Sequence, residues 1–122
     1  MRETVAEFTP WEDEHQIESF VRLGDELWFT GAPCGNIGVF DFTKREIVFH
    51  EEWGYGAGHL QFREADGMLY AAMAGHVVRI DPATREHEVI ATYPGLHRQI
   101  ALTGEWLYAF TAMHLMRIKL GP

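Results

Sequence analysis

The sequence predicts an all-β fold built of antiparallel hairpins, and three observations lead to it. Short runs rich in Val, Ile, Phe, Tyr and Trp are broken by Gly, Asp and Pro about every 8–12 residues. No segment carries the 3.6-residue apolar period of a helix. Matched segments also return roughly every 40 residues, the mark of a repeat protein.

Three sets of landmarks define the repeat. Leu27-Trp28-Phe29-Thr30, Leu69-Tyr70-Ala71-Ala72 and Leu107-Tyr108-Ala109-Phe110 stand 42 and then 38 residues apart, each after a polar turn. Asn36-Ile37-Gly38-Val39-Phe40-Asp41, His76-Val77-Val78-Arg79-Ile80-Asp81 and His114-Leu115-Met116-Arg117-Ile118-Lys119 follow, at spacings of 40 and 38. A histidine leads each repeat: His59 and His97 stand ten residues before their leucine, and His15 stands twelve before.

In chain order the predicted strands are therefore of four kinds. Strand A covers about 17–22, 59–64 and 97–102, B about 26–31, 67–73 and 105–111, C about 35–41, 75–81 and 113–119, and D about 46–52 and 86–93. The alternation assigns Leu27, Phe29, Phe40, Leu69, Ile80, Leu107 and Ile118 to the core. The third repeat has no D strand after it, whereas 3–9 at the front reads like one. Glu3-Thr4-Val5-Ala6-Glu7-Phe8-Thr9-Pro10 and Glu88-Val89-Ile90-Ala91-Thr92-Tyr93-Pro94 share an acid, an apolar run, an aromatic residue and a proline. The order is D-ABCD-ABCD-ABC.

A four-stranded sheet repeated at this period is a β-propeller blade. The chain, 1–122, reads as a single propeller half with blades at about 15–52, 59–93 and 97–119, the last completed by 3–9 of another chain. Propellers have roughly 4–8 blades, so three are expected to close as a six-bladed homodimer by strand exchange under twofold symmetry. A section of a longer propeller is the alternative.

Composition narrows the function. With 47% hydrophobic and 23% charged residues the chain belongs to the globular class. A formal net charge of −8 repels polyphosphates, which argues against a nucleic-acid partner. No apolar run is long enough to cross a bilayer, the first residues carry no apolar signal segment, and the single cysteine, Cys34, has no internal disulfide partner. The expectation is a cytoplasmic protein with neither membrane nor nucleic acid as partner.

His97-Arg98-Gln99-Ile100-Ala101 before Gly104-Glu105-Trp106-Leu107-Tyr108, and Gly24-Asp25-Glu26-Leu27-Trp28-Phe29-Thr30 before Gly35-Asn36-Ile37-Gly38-Val39-Phe40-Asp41, resemble the repeat of virginiamycin B lyase (streptogramin lyase) and its NHL and SMP-30-like propeller relatives. Asp81-Pro82-Ala83-Thr84-Arg85-Glu86 is similar to the end of that repeat, with Arg85 where the pattern has glycine. The resemblance spans nearly the whole chain. It implies propeller blades and, for the lyases, a seven-bladed ring with a histidine and acidic residues around magnesium in the central cavity.

On the blade reading, strand A lines the channel and the D–A and B–C loops share one face. His15, His59 and His97 then ring one mouth of the channel, where imidazoles can bind a divalent metal or act as bases, or simply brace neighbouring backbone. Trp11, Trp53, Tyr55 and Tyr93 precede them and offer faces for a planar or sugar-like small organic ligand, or serve as strand-ending core. Glu12 and Glu14 add oxygen ligands for Mg²⁺ or Ca²⁺ beside His15, or form a solvated loop. His76, His114 and Asn36 mark the rim. Small-molecule binding at this mouth is the expected function; a metal-dependent lyase or hydrolase and an interaction scaffold are the alternatives.

Overall fold

The computed structural model describes residues 2–4, 16–32, 36–56 and 58–122. Their eleven strands form three antiparallel sheets, and no helix is present among the described residues. The first sheet is the meander β1 (Gln16–Leu23), β2 (Glu26–Ala32), β3 (Asn36–Asp41) and β4 (Glu46–Glu52). The second repeats it with β5 (Gln61–Arg63), β6 (Met68–Met73), β7 (His76–Ile80) and β8 (His87–Thr92). The third has β9 (Ala101–Thr103), β10 (Trp106–Phe110) and β11 (Leu115–Lys119), with β11 at its edge.

Each of the eleven A, B, C and D strands read from 17–119 has its counterpart, but two A strands are shorter than expected. Pairing begins at Gln61 and Ala101 rather than near the histidines. The reason is local: the His59 amide donates to Arg98 O at 3.0 Å and the His97 amide to Phe110 O at 2.9 Å, outside the regular ladders. Of the segment 3–9, residues 5–9 lie outside the described residues.

The two C–D hairpins are built alike. Asp41 Oδ1 accepts the amides of Thr43 and Lys44 at 2.8 Å, and Asp81 Oδ1 accepts that of Ala83 at 2.9 Å. Each turn then passes through the left-handed region, at Arg45 (φ 56°) and Arg85 (φ 66°), a conformation glycine adopts more readily. Arg85 gains a partner there. Its Nη2 donates to Glu26 Oε2 of the first sheet at 2.7 Å, and its guanidinium lies 5.7 Å from the Trp28 ring centre and 5.4 Å from that of Phe49.

The middle sheet is covered on both faces, as strand alternation allows. Leu69, Ala71, Met73, Val78 and Ile80 pack against Trp28, Ile37 and Val39 of the first sheet. Tyr70, Ala72 and Val77 pack against Leu107 and Ala109 of the third. The expected core residues Phe29, Phe40, Leu69, Ile80 and Leu107 are buried, whereas Leu27, on the outer side of the first sheet, and Ile118, which packs towards the second sheet from the edge strand β11, are half-buried.

Hydrogen bonds tie the A strands at one edge of the stack. Thr30 Oγ1 donates to Gly58 O at 2.6 Å, the Leu60 amide donates to Ser19 Oγ at 2.9 Å, and Gln61 Nε2 donates to Ile100 O at 2.5 Å. Arg98 Nη1 reaches Glu18 Oε1 at 3.1 Å, joining the start of the third repeat to β1. Gly58 permits the close approach, since a Cβ there would run into the carbonyl of Ala72.

Candidate functional site

Antiparallel meanders put the β4–β5 and β8–β9 loops and the β6–β7 and β10–β11 turns at one end of the sheets, and the β1–β2, β3–β4, β5–β6, β7–β8 and β9–β10 hairpins at the other. The loop end thus carries Trp53, Tyr55, His59, His76, Tyr93, His97 and His114. Backbone bonds knit it, among them His59 N–H to Arg98 O and Tyr93 N–H to Gly75 O at 2.8 Å.

An aromatic residue and a histidine come together twice in the same way. Tyr55 and His76 have ring centres 4.9 Å apart, and Tyr93 and His114, each 38 residues later, 6.2 Å apart. His76 Nδ1 shares a hydrogen bond with Thr92 Oγ1 at 3.0 Å, which orients the imidazole. The residues placed on the rim from sequence are therefore the partners of those placed at the mouth. His97 packs on Phe110 with ring centres 4.5 Å apart. Trp53 turns along the outer strands instead, stacking on His87 at 3.9 Å and 19°. His87 carries no repeat landmark, so only the stacking of the sheets discloses it; a histidine opening a D strand was the one available signal.

Trp11, Glu12, Glu14 and His15 lie outside the described residues, as does the side chain of Asn36. Among the described residues no three His, Cys, Asp or Glu side chains gather as metal ligands.

The opposite end holds a charged network. Arg63 is buried; its Nη1 donates to Asp66 Oδ2 at 2.9 Å and its Nη2 to Gly104 O and Gly121 O, fastening the second sheet to the third. Tyr70 OH donates to the same Asp66 oxygen at 2.5 Å, and the Met68 amide to Oδ1 at 3.1 Å. Burial pushes the Asp66 carboxyl up, but the bonds from Tyr70, Met68 and Arg63 outweigh it and hold the group below its ordinary 3.8. Burial, then the Asp66 carboxylate, raises the Tyr70 phenol above 10.0, keeping it a neutral donor. Arg79 completes the network through its pair with Glu88. All these groups serve one another, so this end braces the fold and the loop end is the candidate site.

No protein-family model matches the chain, and no curated protein matches it. Among solved structures it is similar to the extracellular domain of a one-component system from B. thetaiotaomicron, with a TM-score of 0.69 over 85% of this chain at 16% identity. The chain spans 15% of the length of that structure. At such identity the likeness is one of fold alone.

Proposed function

We propose that the three sheets are blades of a six-bladed propeller closed by a second copy of the chain, and that its loop end binds a small organic ligand. The observation that carries the binding reading is the repeated aromatic–histidine pair, Tyr55 with His76 and Tyr93 with His114, displayed on the face where the A strands converge. Aromatic faces supply contact area, and imidazole supplies a hydrogen bond of either sense, the usual make-up of a site for a planar or sugar-like molecule. A divalent-metal lyase or hydrolase is the competing chemistry, and its ligands would include His15, Glu12 and Glu14. A second reading, favoured by the fraction of its structural neighbour that the chain spans, makes these sheets a section of a longer array.

The test is a thermal-shift screen with nucleosides, phenyl glycosides, Mg²⁺, Ca²⁺, Mn²⁺ and Zn²⁺, followed by titration of whatever stabilises. A ligand at a hundred times its Kd stabilises by about 2.7 kcal/mol. The His59→Asn, His97→Asn double variant should lose tenfold or more in affinity, about 1.4 kcal/mol, with little change in Tm. A much lower Tm with unaltered affinity makes these histidines braces of the backbone and overturns their place in the site.

A further inference from the structure

We propose that the free edge of β11 takes residues 3–9 of a second copy as its fourth strand, closing the apolar groove beside it. The inference rests on the ring reading above and specifies the contact that makes the ring. Equivalent positions of the repeat show what is missing. Ile37 and Val77 face the following sheet and are 0% exposed, whereas Leu115, their counterpart, is 74% exposed. Trp28 and Tyr70 are fully buried, and Tyr108 is only half-buried. β3 and β7 each carry an outer strand on their far edge, β4 and β8, while β11 carries none among the described residues.

Next to that edge lies a groove of about 280 Å³ lined by Val77, Ala91, Leu96, Ala109, Met116 and Ile118. Its floor is apolar and its open side is a strand edge, so it fits an extended segment with small and aromatic side chains on one face. In 3–9 the period of two puts Thr4, Ala6 and Phe8 on one face and Glu3, Val5 and Glu7 on the other. Ala6 and Phe8 match the groove.

Charge sets the register. In the second sheet Arg79 is paired with Glu88 across β7 and β8. The repeat puts Arg117 in the place of Arg79 and Glu3 in the place of Glu88. Arg117 has no acidic partner among the described residues; it lies over the Trp106 ring at 3.9 Å.

The position of Glu3 shows which copy supplies the strand. Its Oε1 lies 3.3 Å from Arg45 Nη2, on the C–D hairpin of the first sheet. The equivalent Arg85 lies against Phe49 of β4, the outer strand of the preceding sheet. Glu3 therefore stands beside the first sheet as an outer strand of a preceding sheet would. Its own third sheet is two sheet spacings away, about 20 Å, on the far side of the stack. The edge of β11 must be filled by a second copy, whose sheet then covers the exposed Phe20 and Phe42 side of the first.

The test combines Glu3→Cys and Arg117→Cys in a Cys34→Ser background. Dilute oxidation should yield covalent dimers closed by two disulfides, at least tenfold faster than Glu3→Cys with Lys119→Cys, which shifts the register by two. Deleting 1–9 should halve the native mass or leave the chain insoluble. An intramolecular 3–117 disulfide, an equal rate for the shifted pair, or a truncated protein that stays dimeric overturns the proposal. A ladder of higher oligomers keeps the strand docking and overturns the closed ring. These readouts are masses and rates, so they stand or fall apart from the ligand titration.

Discussion

Replacing Asp66 by Asn exchanges one oxygen for an amide and removes the negative charge on which Arg63 and Tyr70 converge. Arg63 is only 7% exposed, and its Nε has no partner among the described residues. After the change its cation faces two backbone carbonyls and a neutral amide oxygen in place of the carboxylate. Breaking a buried pair on one side costs about 3–5 kcal/mol. Asp66 is itself a quarter exposed, and the Asn oxygen can still accept from Tyr70, so about 2–3 kcal/mol is expected here. Urea denaturation at neutral pH measures it. The acid limb supplies a second check. A carboxyl held below its unfolded value stabilises the fold above about pH 3.8, and that contribution is lost as pH falls through the folded value. The variant has no such group, so the two stabilities should converge in acid and stay apart at neutral pH. A difference under about 0.5 kcal/mol at neutral pH, or one that persists undiminished at pH 2, would refute the network as the tie between second and third sheets.

Gly58→Ala should cost about 2 kcal/mol or more in Tm or urea experiments, because the new Cβ meets the Ala72 carbonyl at the convergence of the A strands. Gly54, left-handed but with open space around it, should cost only about 1 kcal/mol on the same change. Arg85→Gly and Arg85→Ala both lose the Glu26 pair, but only alanine keeps the left-handed strain; glycine should be the more stable by about 1 kcal/mol, and equal stabilities would show the turn to be unstrained. In a double-mutant cycle Arg85 and Glu26 should couple by about 1 kcal/mol, since both are only partly exposed.

Strand order, hairpin ends and the two-residue alternation are written locally, in turn residues and side-chain shape, and the sequence alone determined them: the Leu-aromatic units became β2, β6 and β10, and the Asp-led turns became the C–D hairpins. Burial is different, because a repeat position is covered only if a neighbouring sheet lies over it. Ile37, Val77 and Leu115 have the same place in the repeat and opposite exposures, which no window of sequence distinguishes. The same holds for the site. Spacing set His15, His59 and His97 at the starts of the repeats, whereas the ring contacts of Tyr55 with His76, Tyr93 with His114 and Trp53 with His87 arise from the stacked sheets. Arg63, Arg85 and Arg98 read as ordinary surface charges until the sheets bring them to Gly121, Glu26 and Glu18, each some 60–80 residues away. Tertiary structure decided those partners, because an ion pair or ring contact between sheets depends on the 10 Å spacing and the angle of the stack, which no single strand encodes.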